Sequence, residues 1–353
     1  MAASKANEVF TVGIDLGTSR SALSTSSHEH AVADSYVGWP ADLVARKILK
    51  RKVLVGREAI DNRTMVDLHR PLENGLIKEG SKKDVEAVRE LIRHLLSVAS
   101  QKGNKDSGPV RAVLGVPAAA LRTSKQYLRE ALDGLFDKLI IVSEPFAVAY
   151  GLDALLHSLI IDIGAGTTDF CVMKGRYPTD EDQRTLTVAG DSIDAHLQHL
   201  IRQRYPDADF TIFMVREWKE RFAFVGDPPG DPVVVTVPVR GTPTEIDITA
   251  DMRTACEALV PPIVETMFDL LANVAPEFQE RVRRNVKVSG GGGLIRNLGP
   301  KLQCALQQIG GGAVTVVEEP TFVGSDGCLA IALDAPESDW EKLGRSHVSE
   351  VGR

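Results

Sequence analysis

Short apolar runs recur along the chain, and most of them end at a glycine or proline. Glu8 to Ile14 reads as a β-strand that runs straight into Asp15-Leu16-Gly17-Thr18, where glycine permits a tight reversal, and a second strand is expected from Ser21. Lys83 to Ser100 places Val85, Val88, Leu91, Ile92, Leu95 and Leu96 on one face at helical spacing, and Gln101 to Pro109 is a polar, glycine-containing loop. Val110 to Val116 is a short apolar run of buried-strand character stopped by Pro117. A helix over Ser124 to Phe136 leads to a strand over Leu139 to Val142. Leu159 to Ile163 is another buried strand, and it delivers a second acidic hairpin at its carboxyl end, as the first strand does. A strand over Asn285 to Val288 precedes four consecutive glycines.

Strands alternating with helices in both halves predict an α/β fold, with ligands at the carboxyl ends of the sheet strands and a cleft between the halves. Two segments read as insertions on this plan, about Asp34 to Arg70 and about Gly190 to Asp251. The second contains the strand-like Pro232 to Val239, preceded by a turn at Asp227 to Gly230.

Composition narrows the picture. The chain has 353 residues, 43% hydrophobic and 25% charged, enough for more than one core. A net charge of -7 supplies no basic stripe for a nucleic-acid backbone; the one compact basic run, Lys50-Arg51-Lys52, reads as a solvated turn. Cys171, Cys256, Cys304 and Cys328 lie far apart without a Cys-x-x-Cys pair, which predicts buried free thiols rather than disulfides or zinc. Met1 to Asn7 is polar, and no stretch nears the roughly 18 apolar residues a membrane span needs, so a cytoplasmic location is expected.

Candidate chemistry gathers at the two hairpins. Gly17, Thr18, Ser19, Gly164, Ala165, Gly166, Thr167 and Thr168 supply backbone N–H groups and hydroxyls of the kind that bind phosphate. One such hairpin is an ordinary turn. Two, each opened by an aspartate at a strand end and a domain's length apart, are expected to grip one nucleotide. Asp15 and Asp162 are the expected Mg²⁺-side carboxylates, or else each caps its own turn. Asp162 is the stronger catalytic candidate and Asp15 the more structural one. Glu144, before Pro145, is either a surface residue or the group that positions the attacking water. Gly290, Gly291, Gly292 and Gly293 would let a flat adenosine lie against backbone. No Gly-x-x-x-x-Gly-Lys-Ser/Thr loop or dinucleotide fingerprint occurs, and His196 and His199 lack a third metal ligand.

In these segments the chain resembles the actin, Hsp70 and sugar-kinase superfamily. Ile14 to Ser21, Ser143 to Gly151, Ile160 to Asp169, Val288 to Arg296 and Thr321 to Ala330 resemble its two phosphate, two connecting and one adenosine segments, in the expected order. Arg70 to Ile77 and Val188 to Asp194, which includes Gly190, are similar to segments bordering actin's small subdomains. Val215 to Phe222 is similar to the helix whose lysine and glutamate contact base and ribose, so the resemblance gives those roles to Lys219 and Glu220. It implies duplicated ribonuclease H-like domains around a nucleotide cleft: subdomain IA from 1–33, 71–145 and 327–353, IB from 34–70, IIA from 146–187 and 252–326, and IIB from 188–251. It further implies ATP or ADP with Mg²⁺, and ATP hydrolysis with Glu144 and Asp162 as catalytic residues.

Val142 to Asp153, Ile161 to Phe170 and Val37 to Asp42 resemble the magnetosome-organising bacterial actins. That likeness implies a dynamic homopolymeric filament, with magnetosome-associated adaptors and without nucleic acid or a direct membrane anchor. A cell-shape or plasmid-segregation actin is the alternative, and a non-polymerising sugar kinase the more distant one. The polar start of the chain and the lack of a sustained apolar face over Ser338 to Arg353 both argue against a membrane tether.

Overall fold

Strand β1 (Phe10–Leu16) is buried on both faces, and a five-stranded sheet is built around it. The computed structural model describes residues 9–78, 81–102, 108–120, 122–228 and 230–343. The amino-terminal stretch Met1 to Asn7, most of the Gln101 to Pro109 loop, Pro229 in the Asp227 to Gly230 turn and the last ten residues lie outside them. The chain divides into two units: 1–154 with 321–353, and 155–320.

In the first unit β1, β2 (Arg20–Thr25) and β3 (His30–Asp34) form an antiparallel meander. The segment after it carries β4 (Val37–Pro40), α1 (Leu43–Leu49), β5 (Leu54–Val55), α2 (Arg57–Asp61) and β6 (Val66–His69), whose strands form a small sheet in the order β5-β4-β6. The hairpin of β7 (Leu72–Glu73) and β8 (Leu76–Ile77) follows, then α3 (Lys82–Lys102), whose predicted apolar face is buried with Val88, Leu91, Ile92 and Leu95 inaccessible. β9 (Val110–Val116) and β10 (Lys138–Ser143) add to β1 in parallel, giving the order β10-β9-β1-β2-β3. Between them α4 (Arg122–Ala131) stops short of the predicted Phe136, and Gly134 at φ 75 turns the chain toward β10. α5 (Glu144–Gly151) closes this half.

The second unit repeats the plan. β11 (Leu156–Ile163), β12 (Thr168–Lys174) and β13 (Gln183–Leu186) form the antiparallel meander, and β16 (Val286–Ser289) and β17 (Val314–Val316) join in parallel, in the order β13-β12-β11-β16-β17. Between β13 and β16 run α6 (Gly190–Arg204), α7 (Ile212–Phe222), the hairpin of β14 (Val234–Val239) and β15 (Thr242–Asp247), α8 (Thr249–Glu257), α9 (Val260–Ala272) and α10 (Pro276–Arg283). α11 (Leu298–Leu306) lies between β16 and β17. Its core gathers inward-facing strand residues such as Leu159, Ile161 and Val288 with Leu197, Val215, Ile263 and Leu302 from the helices.

α12 (Val323–Asp334) and α13 (Glu337–Leu343) return to the first unit. A side chain on Gly327 of α12 would collide with the Ala147 carbonyl of α5, and one on Gly13 of β1 with the backbone of α12, so these elements meet backbone to backbone. α5 and all of α12 belong to the first unit, so the chain passes between the units at 154/155 and 320/321. Trp340 of α13 is buried, with the Arg111 guanidinium 5.4 Å over its ring. Of the four thiols expected to be buried, Cys171, Cys256 and Cys328 are, whereas Cys304 on α11 is exposed.

Candidate functional site

In the first unit, Asp15 ends β1 directly opposite Gly115 of β9, and Glu144 opens α5 just past β10. Three adjacent parallel strands therefore bring both carboxylates to one sheet edge. Gly115 keeps that edge open, since a Cβ there would lie 3.2 Å from Glu144 Cγ and 3.6 Å from Cys328 Sγ. Glu144 Oε1 is buried, beside the Asn74-Gly75 turn. Asp15 packs against Gly324, where a Cβ would lie 2.6 Å from Oδ2, and burial raises its carboxyl from 3.8 to about 6. Nothing in the sequence around Cys328 marks it as a neighbour of this site. It is wholly buried, and burial first, then the charges of Asp15 and Glu144, hold its thiol well above the ordinary range, so it is an inert neighbour of the carboxylates.

The turn after β1 is braced by the segment that follows the meander. Ser35 Oγ donates to the Gly17 carbonyl at 2.6 Å, Arg70 Nε to the Thr18 carbonyl at 3.1 Å, and the Gly75 amide to Thr18 Oγ1 at 2.7 Å. Thr18 thus has its hydroxyl oxygen engaged but keeps a proton to donate. Gly17 and Ser19 are half-exposed on the same turn.

The second unit carries the matching turn. Asp162 pairs with Asp169 and Ile163 with Thr168 across the β11–β12 hairpin, and the Gly164 amide closes it by donating to the Thr167 carbonyl at 2.9 Å. Gly164, Ala165, Gly166 and Thr167 form the connecting turn. Thr168 is completely buried, and its hydroxyl donates to the Val188 carbonyl at 2.8 Å. Asp169 is likewise internal, with its carboxylate accepting from the Thr185 hydroxyl.

The glycine run divides by position. Gly290, at φ 76, crosses so close to the end of β11 that a Cβ would lie 2.6 Å from Asp162 Oδ1, so only glycine fits. Gly292 is pressed on the Ile163 side chain and Gly293 on Val288, whereas Gly291 faces open space. A short 3₁₀ turn, Gly291–Leu294, constrains this segment. The Arg296 amide donates to the Ala223 carbonyl and the Val225 amide to the Arg296 carbonyl, tying the segment to the end of α7.

On α7, Glu220 is exposed and Lys219 turns inward. The Lys219 ammonium lies 3.2 Å from Asp194 Oδ1, and Arg216 Nε lies 3.2 Å from Asp194 Oδ2 while its Nη2 reaches Asp191 Oδ1 at 3.3 Å. A Cβ on Gly190 would lie 3.2 Å from Lys219 Nζ and 3.3 Å from Ala165 Cα, so Gly190, Lys219 and the phosphate-type turn adjoin. Asp194 is a second residue whose part here the sequence does not announce. Its spacing from Gly190, one helical turn into α6, is the one available signal. Among the described residues no helix is long and apolar enough to cross a membrane.

Comparison with known proteins agrees with this duplicated geometry. The family model described as MreB/Mbl protein matches residues 9–337. The chain is 39% identical over 338 residues to the actin-like protein MamK of Paramagnetospirillum magneticum, covering 96% of each chain. Its fold superposes on a MamK double helical filament subunit with a TM-score of 0.89, at 38% identity over 93% of this chain and all of that one. A non-polymerising MamK mutant bound to AMPPNP gives a TM-score of 0.70 at 38% identity, again over 93% of this chain and all of that one.

Proposed function

Because this chain belongs to the MreB/Mbl family of actin-like proteins, we propose that it is an ATPase that assembles into filaments with ATP and whose filaments weaken as ATP is hydrolysed to ADP and phosphate. One observation carries the reading: the same strand, acidic turn and strand stand at the same place in two units of the same topology. Relatives solved as a filament and with AMPPNP support it. Self-assembly would also cover the apolar face of α1, where Leu43 and Val44 are 80% and 65% exposed.

The residues suit Mg²⁺ bound with a nucleotide. Asp15 and Asp162, each near the end of its strand, would be the hard oxygen donors that hold it. Bound there, Mg²⁺ would neutralise phosphate charge. The protein's own part is positioning: the two turns donate N–H and hydroxyl groups to phosphate oxygens, and Glu144 Oε1 accepts a hydrogen bond from the attacking water and aims its lone pair at the γ-phosphorus. Asp162 is the second unit's catalytic carboxylate in this reading. Lys219 and Glu220 serve the sugar and base, and Gly291 the adenosine.

Replacing Glu144 or Asp162 by alanine is expected to lower steady-state phosphate release about 100-fold while leaving ATP-dependent assembly in place. Turnover at the parent rate in both variants would remove them from the catalytic set. We also assign the filament, from the resemblance in its connecting and phosphate segments, to the positioning of magnetosome chains. A tagged chain that fails to lie along the particles in cells would sink that assignment.

A further inference from the structure

Asp194 is 1% accessible, one turn inside α6, with two cations of α7 on its carboxylate. Burying a carboxylate is costly, and burial raises its proton affinity against the pull of Lys219 and then Arg216. A charge placed so deeply needs a structural or functional reason. The surroundings supply one. The first residues of α6 are stitched to the second hairpin, with the Gly190 amide donating to the Gly164 carbonyl at 3.1 Å and the Asp191 amide to the Ala165 carbonyl at 2.7 Å. Gly190 leaves room for the Lys219 ammonium, which stands over this seam with its side chain only 13% exposed.

We propose that Asp194 is a positioning residue for nucleotide binding: its buried carboxylate fixes the Lys219 ammonium, and through Arg216 the whole of α7, against the turn formed by Gly164 to Gly166. The ligand class is a nucleoside triphosphate, and the inference rests on the nucleotide reading above. A lysine on a four-carbon stem is otherwise free to sample many rotamers, and holding it in one place before the ligand arrives removes that ordering cost from binding. The carboxylate touches no substrate and acts only through Lys219. Its loss should therefore appear in affinity more than in turnover.

The test is titration calorimetry with AMPPNP on the full chain below the concentration at which it pellets, beside steady-state ATP hydrolysis. The parent chain is expected to bind. D194N and K219M should each bind about 10-fold more weakly, a change of about 1.4 kcal/mol, and D194N should raise KM with kcat little changed. Because both act through one contact, the double variant D194N/K219M should bind within about threefold of K219M alone. That variant removes one charge of each sign, so it decides the matter even if D194N alone does not fold. AMPPNP affinity at the parent level in D194N or K219M, or a roughly 100-fold loss in the double variant as independent effects would give, overturns the inference. Failure of the parent chain to bind AMPPNP would instead overturn the nucleotide reading itself.

Discussion

Asp182 illustrates how a single carboxylate staples a surface excursion to the core. It lies in the chain that joins β12 to β13, in the turn just before β13, and is 2% accessible. Lys174 Nζ is 2.7 Å from Oδ1, Arg176 Nη1 is 3.0 Å from Oδ2, and the Thr179 amide and hydroxyl both donate to Oδ2 at 2.9 Å. Burial alone would raise its pKa, but the Lys174 and Thr179 contacts outweigh it and bring the group from 3.8 down to about 2. A lowered value means the fold prefers the charged form. The stabilisation is fully present above about pH 4 and disappears as pH falls toward about 2, and the shift corresponds to about 2 kcal/mol. D182N should lose about that much at neutral pH and show a flatter acid limb in thermal melts. Identical melts for D182N and the parent between neutral pH and about pH 3 would contradict this. At this scale the sequence is legible where geometry follows the chain. The aspartates at strand ends and the Glu144-Pro145 start of a helix stand where alternation and proline place them. Thr168, Cys328 and Asp194 are not legible in this way, because their roles depend on Val188, on Gly115 and on Lys219, partners set by tertiary packing.

Among the elements, α12 lies backbone against backbone on α5, a contact that rests on absent side chains. Gly327 faces the Ala147 carbonyl, and Gly151 faces the Val323 carbonyl at 2.8 Å from where its own Cβ would be. G327A forces backbone apart instead of filling a void, so it should cost at least about 3 kcal/mol, the upper end for overpacking. A urea midpoint within error of the parent would argue that the helices separate easily. Sequence periodicity finds β1, β9, β10, β11, β16 and the long helix α3 within a few residues, because their apolar faces are continuous, and it passes over the short strands β3, β13 and β17. It overruns α4, which the chain leaves before Gly134. Helix partners, unlike helix existence, leave no period in the sequence.

At the level of the whole molecule the governing feature is duplication: two meanders, each extended by two parallel strands, and each ending its first strand in an aspartate and a turn. The repeated strand-turn pattern is legible along the chain itself, whereas the division of labour inside each turn is set by contacts with residues distant in sequence. A head-to-tail contact between identical subunits that does not close into a ring extends without limit, so the account predicts assembly governed by nucleotide state. Sedimentation of the full chain, with negative-stain microscopy of the pellet, tests this directly with ATP, ADP or no nucleotide. Filaments should form with ATP and fade as phosphate is released, with little polymer in ADP. A chain that remains in the supernatant in all three conditions, or pellets equally in all three, contradicts the account.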